Sequence, residues 1–175
     1  KRAGMDGIEL NYHGGHLHDM FTTTLWNKRT DKYGGNIDGR LRFSLETIAA
    51  VKRGAGADFP LTVKFGLTHY LPGAREVEEG LELARKFEAA GVDGLGIDAG
   101  CFDTKEWYDP PTTMPLGCNV DLAAMTKKVV KIPVIAVGKL GCPELAERVL
   151  EEKKADFIAV ARSLLADPEW TNKIK

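Results

Sequence analysis

The sequence has no CxxC pair, no long apolar run and no excess of charge of one sign, and each absence removes a class of function. Its three cysteines, Cys101, Cys118 and Cys142, are an odd number and widely spaced. A disulfide framework, a tetrahedral zinc site or an iron–sulfur site needs paired or closely spaced thiols, so reduced cysteines of a cytoplasmic protein are the expectation. No apolar stretch approaches the ~20 residues of a membrane helix, and no secretory signal opens the chain, so no membrane partner is expected. Lys and Arg together number 24 against 25 Asp and Glu. That near balance excludes the basic surface of a nucleic-acid binder. The opening Lys1-Arg2-Ala3-Gly4 reads as the last turn of a helix already under way, which sets the expectation of a longer parent chain.

What the chain does have is internal repetition. Ile132-Pro-Val-Ile-Ala-Val-Gly138-Lys139 and Ala155-Asp-Phe-Ile-Ala-Val-Ala161-Arg162 are both short apolar runs that stop at a small residue followed by a cation. Such runs suit parallel strands buried on both faces. Small residues at a strand end let backbone N–H groups approach a ligand, and a following helix start favours an anion. Two such ends on consecutive strands suggest a cradle for a phosphorylated cofactor, of the kind formed after the last strands of a (β/α)8 barrel.

A second repeat marks helix–strand joints: Ala3-Gly-Met-Asp6-Gly-Ile, Ala90-Gly-Val-Asp93-Gly-Leu and Lys154-Ala-Asp156-Phe-Ile. Five strand–helix units follow from it. Strands are predicted at Gly7–Asn11, Leu61–Phe65, Leu95–Ile97, Val134–Val137 and Phe157–Val160, with helices at Arg40–Arg53, Glu76–Ala90, Val120–Val130 and Pro143–Glu152. The joints are short, whereas the loops after the first and third strands are long, as expected when one face carries function. The expected fold class is therefore α/β: residues 1–175 form a single partial domain, the C-terminal five βα units of a (β/α)8 TIM barrel. An open α/β sheet is the alternative.

The loop after the first strand, Asn11-Tyr-His13-Gly14-Gly-His16-Leu-His18-Asp19, holds three of the four histidines. It is read as a ligand-facing loop. A metal site on His13, His16 and His18 would support a metal-dependent hydrolase, but the spacing fixes no geometry and no metal is expected.

Trp26-Asn-Lys-Arg-Thr-Asp-Lys-Tyr-Gly-Gly and Gly39-Arg-Leu-Arg-Phe resemble the Old Yellow Enzyme family of FMN-dependent oxidoreductases, the NADH:flavin oxidoreductases. Asp6-Gly-Ile-Glu-Leu, Pro133-Val-Ile-Ala-Val-Gly and Ala161-Arg-Ser-Leu-Leu-Ala-Asp-Pro resemble it in the same order. Cys101-Phe-Asp-Thr-Lys-Glu-Trp-Tyr-Asp-Pro-Pro looks most like the multidomain branch that includes 2-enoate and 2,4-dienoyl-CoA reductases. The resemblance implies a (β/α)8 barrel that takes hydride from NAD(P)H onto FMN and passes it to a small-molecule activated alkene.

The resemblance also implies roles. Lys64 stands where the family has an arginine near the flavin's pyrimidine edge, and a cation there stabilises the anionic reduced ring. Gly138 and Ala161 would offer backbone N–H groups to the FMN phosphate, with Arg162 as its charged partner; a surface pair with Asp167 or Glu169 is the alternative for Arg162. Without a gap, the family's carbonyl-binding and proton-donating positions fall on Asn11, Gly14 and His16. Asn11 can still donate to a carbonyl, and a one-residue shift brings His13 into the second role. His16 replaces the usual tyrosine and is the candidate proton donor, with packing as its alternative.

Arg29, Asp31, Tyr33, Arg40 and Arg42 are expected to tie the long loop down, and Lys127-Lys128 and Lys153-Lys154 to sit at helix C-termini. Trp107 and Tyr108 either wall the pocket or cover the core. Missing strands would leave open edges, so self-association is expected, with weak or no FMN binding and no activity by this chain alone. An iron–sulfur cluster would belong only to a longer parent chain. A non-redox phosphate-binding barrel module is the remaining alternative.

Overall fold

The computed structural model describes residues 3–174, so the reading of Lys1 and Arg2 as a helix end lies outside the described residues. Five parallel strands pair strictly in chain order: β1 (Ile8–Tyr12), β2 (Leu61–Gly66), β3 (Gly94–Asp98), β4 (Val134–Ala136) and β5 (Phe157–Ile158). The helices are α1 (Leu17–Thr22), α2 (Ile37–Ala55), α3 (Val77–Ala89), α4 (Lys105–Tyr108), α5 (Val120–Lys127), α6 (Pro143–Glu151), α7 (Arg162–Ala166) and α8 (Trp170–Lys173). A sequential order has no switch point of the kind an open doubly wound sheet shows.

The two faces of the sheet differ. Tyr12, Val63, Phe65, Leu95, Ile97, Val134 and Ala136 are buried with Leu41 and Ile48 of α2, Leu83 and Phe87 of α3, Ala123 of α5 and Val149 of α6. Each such aliphatic or aromatic side chain removed from water contributes roughly 1.5–3 kcal/mol. The opposite face carries Glu9, Asn11, Thr62, Lys64, Gly94, Gly96 and Ile135; within it Asn11, Lys64, Gly96, Ile135 and Phe157 share one register level. This corrects the expectation of strands buried on both faces: Ile135 is half-buried and Phe157 is 57% exposed. Helices on one face and an open concave face on the other form the wall of a (β/α)8 barrel over five units.

Element ends have local causes. Helix α2 starts ahead of the predicted Arg40 because Asn36 caps it, its side chain accepting from Gly39 N at 3.0 Å. Helix α5 stops before the predicted Val130; its end tightens through Lys128 N and Val129 N donating to the Met125 and Thr126 carbonyls. The repeated joint has a specific bond. Asp93, ahead of β3, accepts the first N–H of β2 (Leu61, 2.9 Å), and Asp156, ahead of β5, accepts the first N–H of β4 (Val134, 2.9 Å). Lys52 and Lys127, in the last turns of α2 and α5, complete the two carboxylates. Lys127 therefore does more than complement a helix dipole.

The long loop after α1 is bound as expected. Arg40 donates to the carbonyls of Thr22 and Gly35 and pairs with Glu79, Arg42 donates to Lys32 O, Arg29 pairs with Asp31, and Tyr33 donates to Glu46. Among the described residues no helix is long and apolar enough to cross a membrane.

Candidate active site

A cleft of about 850 Å³ opens where the strands end on the concave face, lined by Lys64, Gly96, Asp98, Tyr108, Gly138 and Arg162 among others. Its floor is arranged around Asp98, the last residue of β3 and buried. The Asp98 carboxylate accepts from Asn119 Nδ2 at 3.0 Å and from Ala99 N at 2.9 Å. It also lies 3.1 Å from Lys64 Nζ and 3.4 Å from His13 Nε2. Lys64 is thus held in the floor by a carboxylate and does not reach freely into solvent.

His13 is buried and stacks on Tyr108, ring centroids 4.9 Å apart. Its approach to Asp98 is too poorly aligned for a hydrogen bond, and both ring nitrogens lack a partner among the described residues. Burial pushes its pKa down to about 4; the attraction of Asp98 opposes this and is outweighed. His13 is therefore a neutral imidazole at pH 7. Gly14 has φ +77°, and a Cβ there would run into the Tyr108 ring at 2.0 Å, so the loop and Tyr108 are fitted to each other.

The other two loop histidines go elsewhere. His16 is exposed at the start of α1, edge-on to Phe102, and does not line the cleft. His18 lies between Tyr12 and Phe43, and burial lowers its pKa to about 4. Three neighbouring histidines in three environments do not converge, and no group of three or more metal-ligating side chains does so among the described residues.

Beneath this loop sits a sealed charged cluster. Asp19 receives Arg75 Nη2 at 2.6 Å, His69 Nε2 at 3.1 Å and the backbone N of Gly15 at 2.8 Å. Arg75 also donates to Gly66 O at 2.5 Å and to Thr22 Oγ1. Burial alone would raise the Asp19 pKa, but the Arg75 guanidinium and the His69 ring hold it far below the usual carboxylate range. The cluster joins the backbone of the histidine loop to the end of β2.

The far wall comes from β4 and β5. Gly138 takes φ +113° at the end of β4, and a Cβ there would meet Asn119 at 3.2 Å. Ala161 precedes α7, and Arg162 lies on the rim, donating to Pro110 O at 2.9 Å with Asp109 Oδ1 at 3.4 Å. The surface partner of Arg162 is Asp109 and not Asp167 or Glu169, which are engaged by Lys173 and Asn172. Lys139 turns away from the strand end: its ammonium serves the carbonyls of Pro111 and Thr112 at 2.8 Å each, and that of Met114. Of Trp107 and Tyr108, Tyr108 lines the cleft, while Trp107 packs on Tyr70 and the core.

The structure thus brings Lys64 to one end of the cleft and Gly138, Ala161 and Arg162 to the other; His13 is buried against the same Asp98 and Asn11 is in register with Lys64, but neither lines the cleft. His16 lies apart. Sequence reasoning missed Asp98, Asn119, His69 and Arg75. Asp98 was within reach, since Gly94-Leu-Gly-Ile-Asp98 is another apolar run that stops at a charge.

Comparison with known proteins agrees with this architecture. The NADH oxidase of Thermoanaerobacter brockii is 42% identical over 175 residues, which is 100% of this chain and 27% of that protein. The cinnamate reductase of Clostridium sporogenes is 36% identical over 189 residues, covering 99% of this chain and 28% of that one. The solved 2-naphthoyl-CoA reductase in complex with 2-naphthoyl-CoA superposes with a TM-score of 0.92 at 29% identity, over 99% of this chain and 26% of that one. The chain spans about a quarter of the length of these relatives. The profile of the NADH:flavin oxidoreductase / NADH oxidase family matches residues 1–175, and the chain belongs to that family.

Proposed function

We propose that this chain carries the flavin-facing floor and phosphate rim of an FMN-dependent oxidoreductase that reduces activated alkenes with NAD(P)H. One observation carries the reading: a single cleft has a cation in its floor, Lys64, a cation on its rim, Arg162, and between them glycines that leave room for a flat ring. Gly96, in register with Lys64, presents no side chain, and a Cβ there would already touch Lys64 at 3.4 Å. These residues fit FMN. Arg162 and the backbone at Gly138 and Ala161 would hold the phosphate, and Lys64 would face the ring. Bound FMN would supply a two-electron hydride carrier.

The chain's own residues then have distinct tasks. Lys64 offers a positive charge, and Asp98 fixes its position and neutralises it when the site is empty. Asn11, on the concave face, and neutral His13 are the groups to hold a substrate carbonyl by hydrogen bonding. His16, exposed above the loop, would deliver a proton only if the loop carried it toward the cleft. The free edge of β1 and the open concave face make self-association the expected state of the chain alone, which size-exclusion chromatography checks. Alone, the chain binds FMN weakly and does not turn over.

The test is a fluorescence titration of FMN with the chain, beside Arg162→Ala and with riboflavin in place of FMN. Saturable quenching that weakens at least tenfold with Arg162→Ala or with riboflavin supports the cradle. Equal affinity for FMN and riboflavin, unmoved by Arg162→Ala, would sink it.

A further inference from the structure

Asp98 divides its two carboxylate oxygens between different kinds of partner. Oδ1 accepts from Asn119 Nδ2 at 3.0 Å and from Ala99 N at 2.9 Å, both neutral donors. Oδ2 faces two basic groups, Lys64 Nζ at 3.1 Å and His13 Nε2 at 3.4 Å. The Lys64 side chain is 29% exposed and opens on the cleft, whereas those of His13 and Asp98 are only 4% and 5% exposed. Of the three, the lysine alone can turn to a ligand. It would leave Oδ2 buried beside an imidazole whose two nitrogens have no hydrogen-bond partner among the described residues. A buried carboxylate stripped of its cation is costly, and a proton on the adjacent imidazole offsets that cost.

We infer that Lys64 and protonated His13 are alternative partners of Asp98 Oδ2, so that Lys64 gives its charge to an anion in the cleft as His13 takes up a proton. Asp98 is then the positioning residue through which one proton below the floor balances one negative charge above it. On the reading that the cleft holds FMN, on which this step rests, the anion is the reduced ring. The charged and titratable groups about His13 are Asp98 of β3, Lys64 of β2, Asp19 of α1, His69 of the segment after β2, and Tyr108 of α4, which stacks on it. Asp19 is engaged by Arg75 and His69 whether or not Lys64 moves. Asp98 favours a proton on His13 and Lys64 opposes it, so the lysine is the opposition that a ligand in the cleft controls.

The experiment is a pH titration of the 175-residue chain with isotope-labelled histidine, followed by NMR. The His13 signals are assigned by their absence in His13→Gln. In the unsubstituted chain His13 stays neutral until the pH nears about 4. Lys64→Met should make His13 hold its proton about tenfold more tightly or better. Lys64→Arg, which keeps the charge, should leave the affinity within about threefold of the unsubstituted chain. Adding Asp98→Asn to Lys64→Met should abolish the gain. His18, stacked between Tyr12 and Phe43, should titrate alike in every variant, so a shift confined to His13 is not a loosened fold. An unmoved His13 in Lys64→Met would overturn the inference. So would a proton taken up by the Asp98 carboxyl, read from its carbon signal, with His13 still neutral. FMN held by the chain gives a second reading. Its reduction by dithionite at pH 7 should take up about half a proton or more per flavin beyond that seen in His13→Gln. Equal uptake would overturn the link to the cleft. Failure of the chain to bind FMN bears on the phosphate cradle alone, because the histidine titration needs no flavin and decides the exchange by itself.

Discussion

The β1–β3 side and the β4–β5 side of the cleft hold their cations in opposite ways. On the first side, Arg75 is buried against Asp19, Thr22 and the Gly66 carbonyl, and Lys64 is pinned to buried Asp98. On the second, Arg162 and Lys139 rest mainly on the backbone carbonyls of residues 110–114, and the one carboxylate near Arg162, Asp109 at 3.4 Å, is as exposed as the 58% exposed Arg162 side chain itself. A carbonyl is a weaker and more replaceable partner than a carboxylate. The floor is thus fixed by buried partners, whereas the rim rests on exposed ones, which the proposed phosphate would displace. The strands follow the same division, five or six residues long on one side and two or three on the other.

The most severe way to break that difference is to open the sealed cluster. Arg75→Met leaves Asp19 charged and buried, and should cost about 3–5 kcal/mol in urea unfolding. Arg162→Met on the rim should cost under about 1 kcal/mol. Equal losses would erase the distinction.

Glycines sharpen it next. A Cβ on Gly80 of α3 would meet the Leu67 carbonyl oxygen at 1.9 Å, and backbone there cannot move aside. Gly80→Ala should destabilise by about 2–3 kcal/mol. A Cβ on Gly141 meets Ser163 Oγ at the same distance, and that hydroxyl can rotate away. Gly141→Ala should cost about 1 kcal/mol or less, measured in the same way.

Acid separates the sides without mutation. The folded His13 has its pKa near 4, below the ordinary 6.5, because of burial. Above pH 6.5 it is neutral in both states, so its contribution is complete there. As pH falls from 6.5 to 4, the unfolded chain takes up a proton that the folded chain refuses, and roughly 2–3 kcal/mol of stability is lost. His18 adds in the same direction. The depressed Asp19 carboxyl stays ionised across this window, and its contribution is lost only at lower pH. Urea midpoints at pH 7 and pH 4.5 should show the slope, and His13→Gln should remove much of it.

The smallest expected effect is at the joints. Lys127→Met removes a partly exposed ion pair with Asp156 and should cost under about 0.5 kcal/mol, while Asp156→Ala also strips the first N–H of β4 of its acceptor and should cost about 1 kcal/mol.

The fold was legible because its signals are local. Apolar runs ending in glycine or a cation, and Gly-x-Asp joints, located all five strands and the helices α2, α3, α5 and α6 to within a few residues. That Gly138, Arg162 and Lys64 line one cleft also follows from their places at or near the strand ends. The cluster of Asp19, His69 and Arg75 does not, because its members are 50 and 56 residues apart from Asp19 and each looks like an ordinary loop residue. The fate of the three loop histidines was equally hidden: that His13 packs against Asp98 and Tyr108 while His16 is exposed follows the positive φ of Gly14 and Gly15, which turn the chain between them.

The aspartate joints also impose a schedule on synthesis. The first amide of β2 waits for Asp93, 32 residues later in the chain, and that of β4 waits 22 residues for Asp156. At roughly 5–20 residues per second, the first wait lasts about 2–6 s on the ribosome. The first amides of β2 and β4 therefore gain their carboxylate partners only when the following unit emerges, so these two strands are completed one unit behind the growing end.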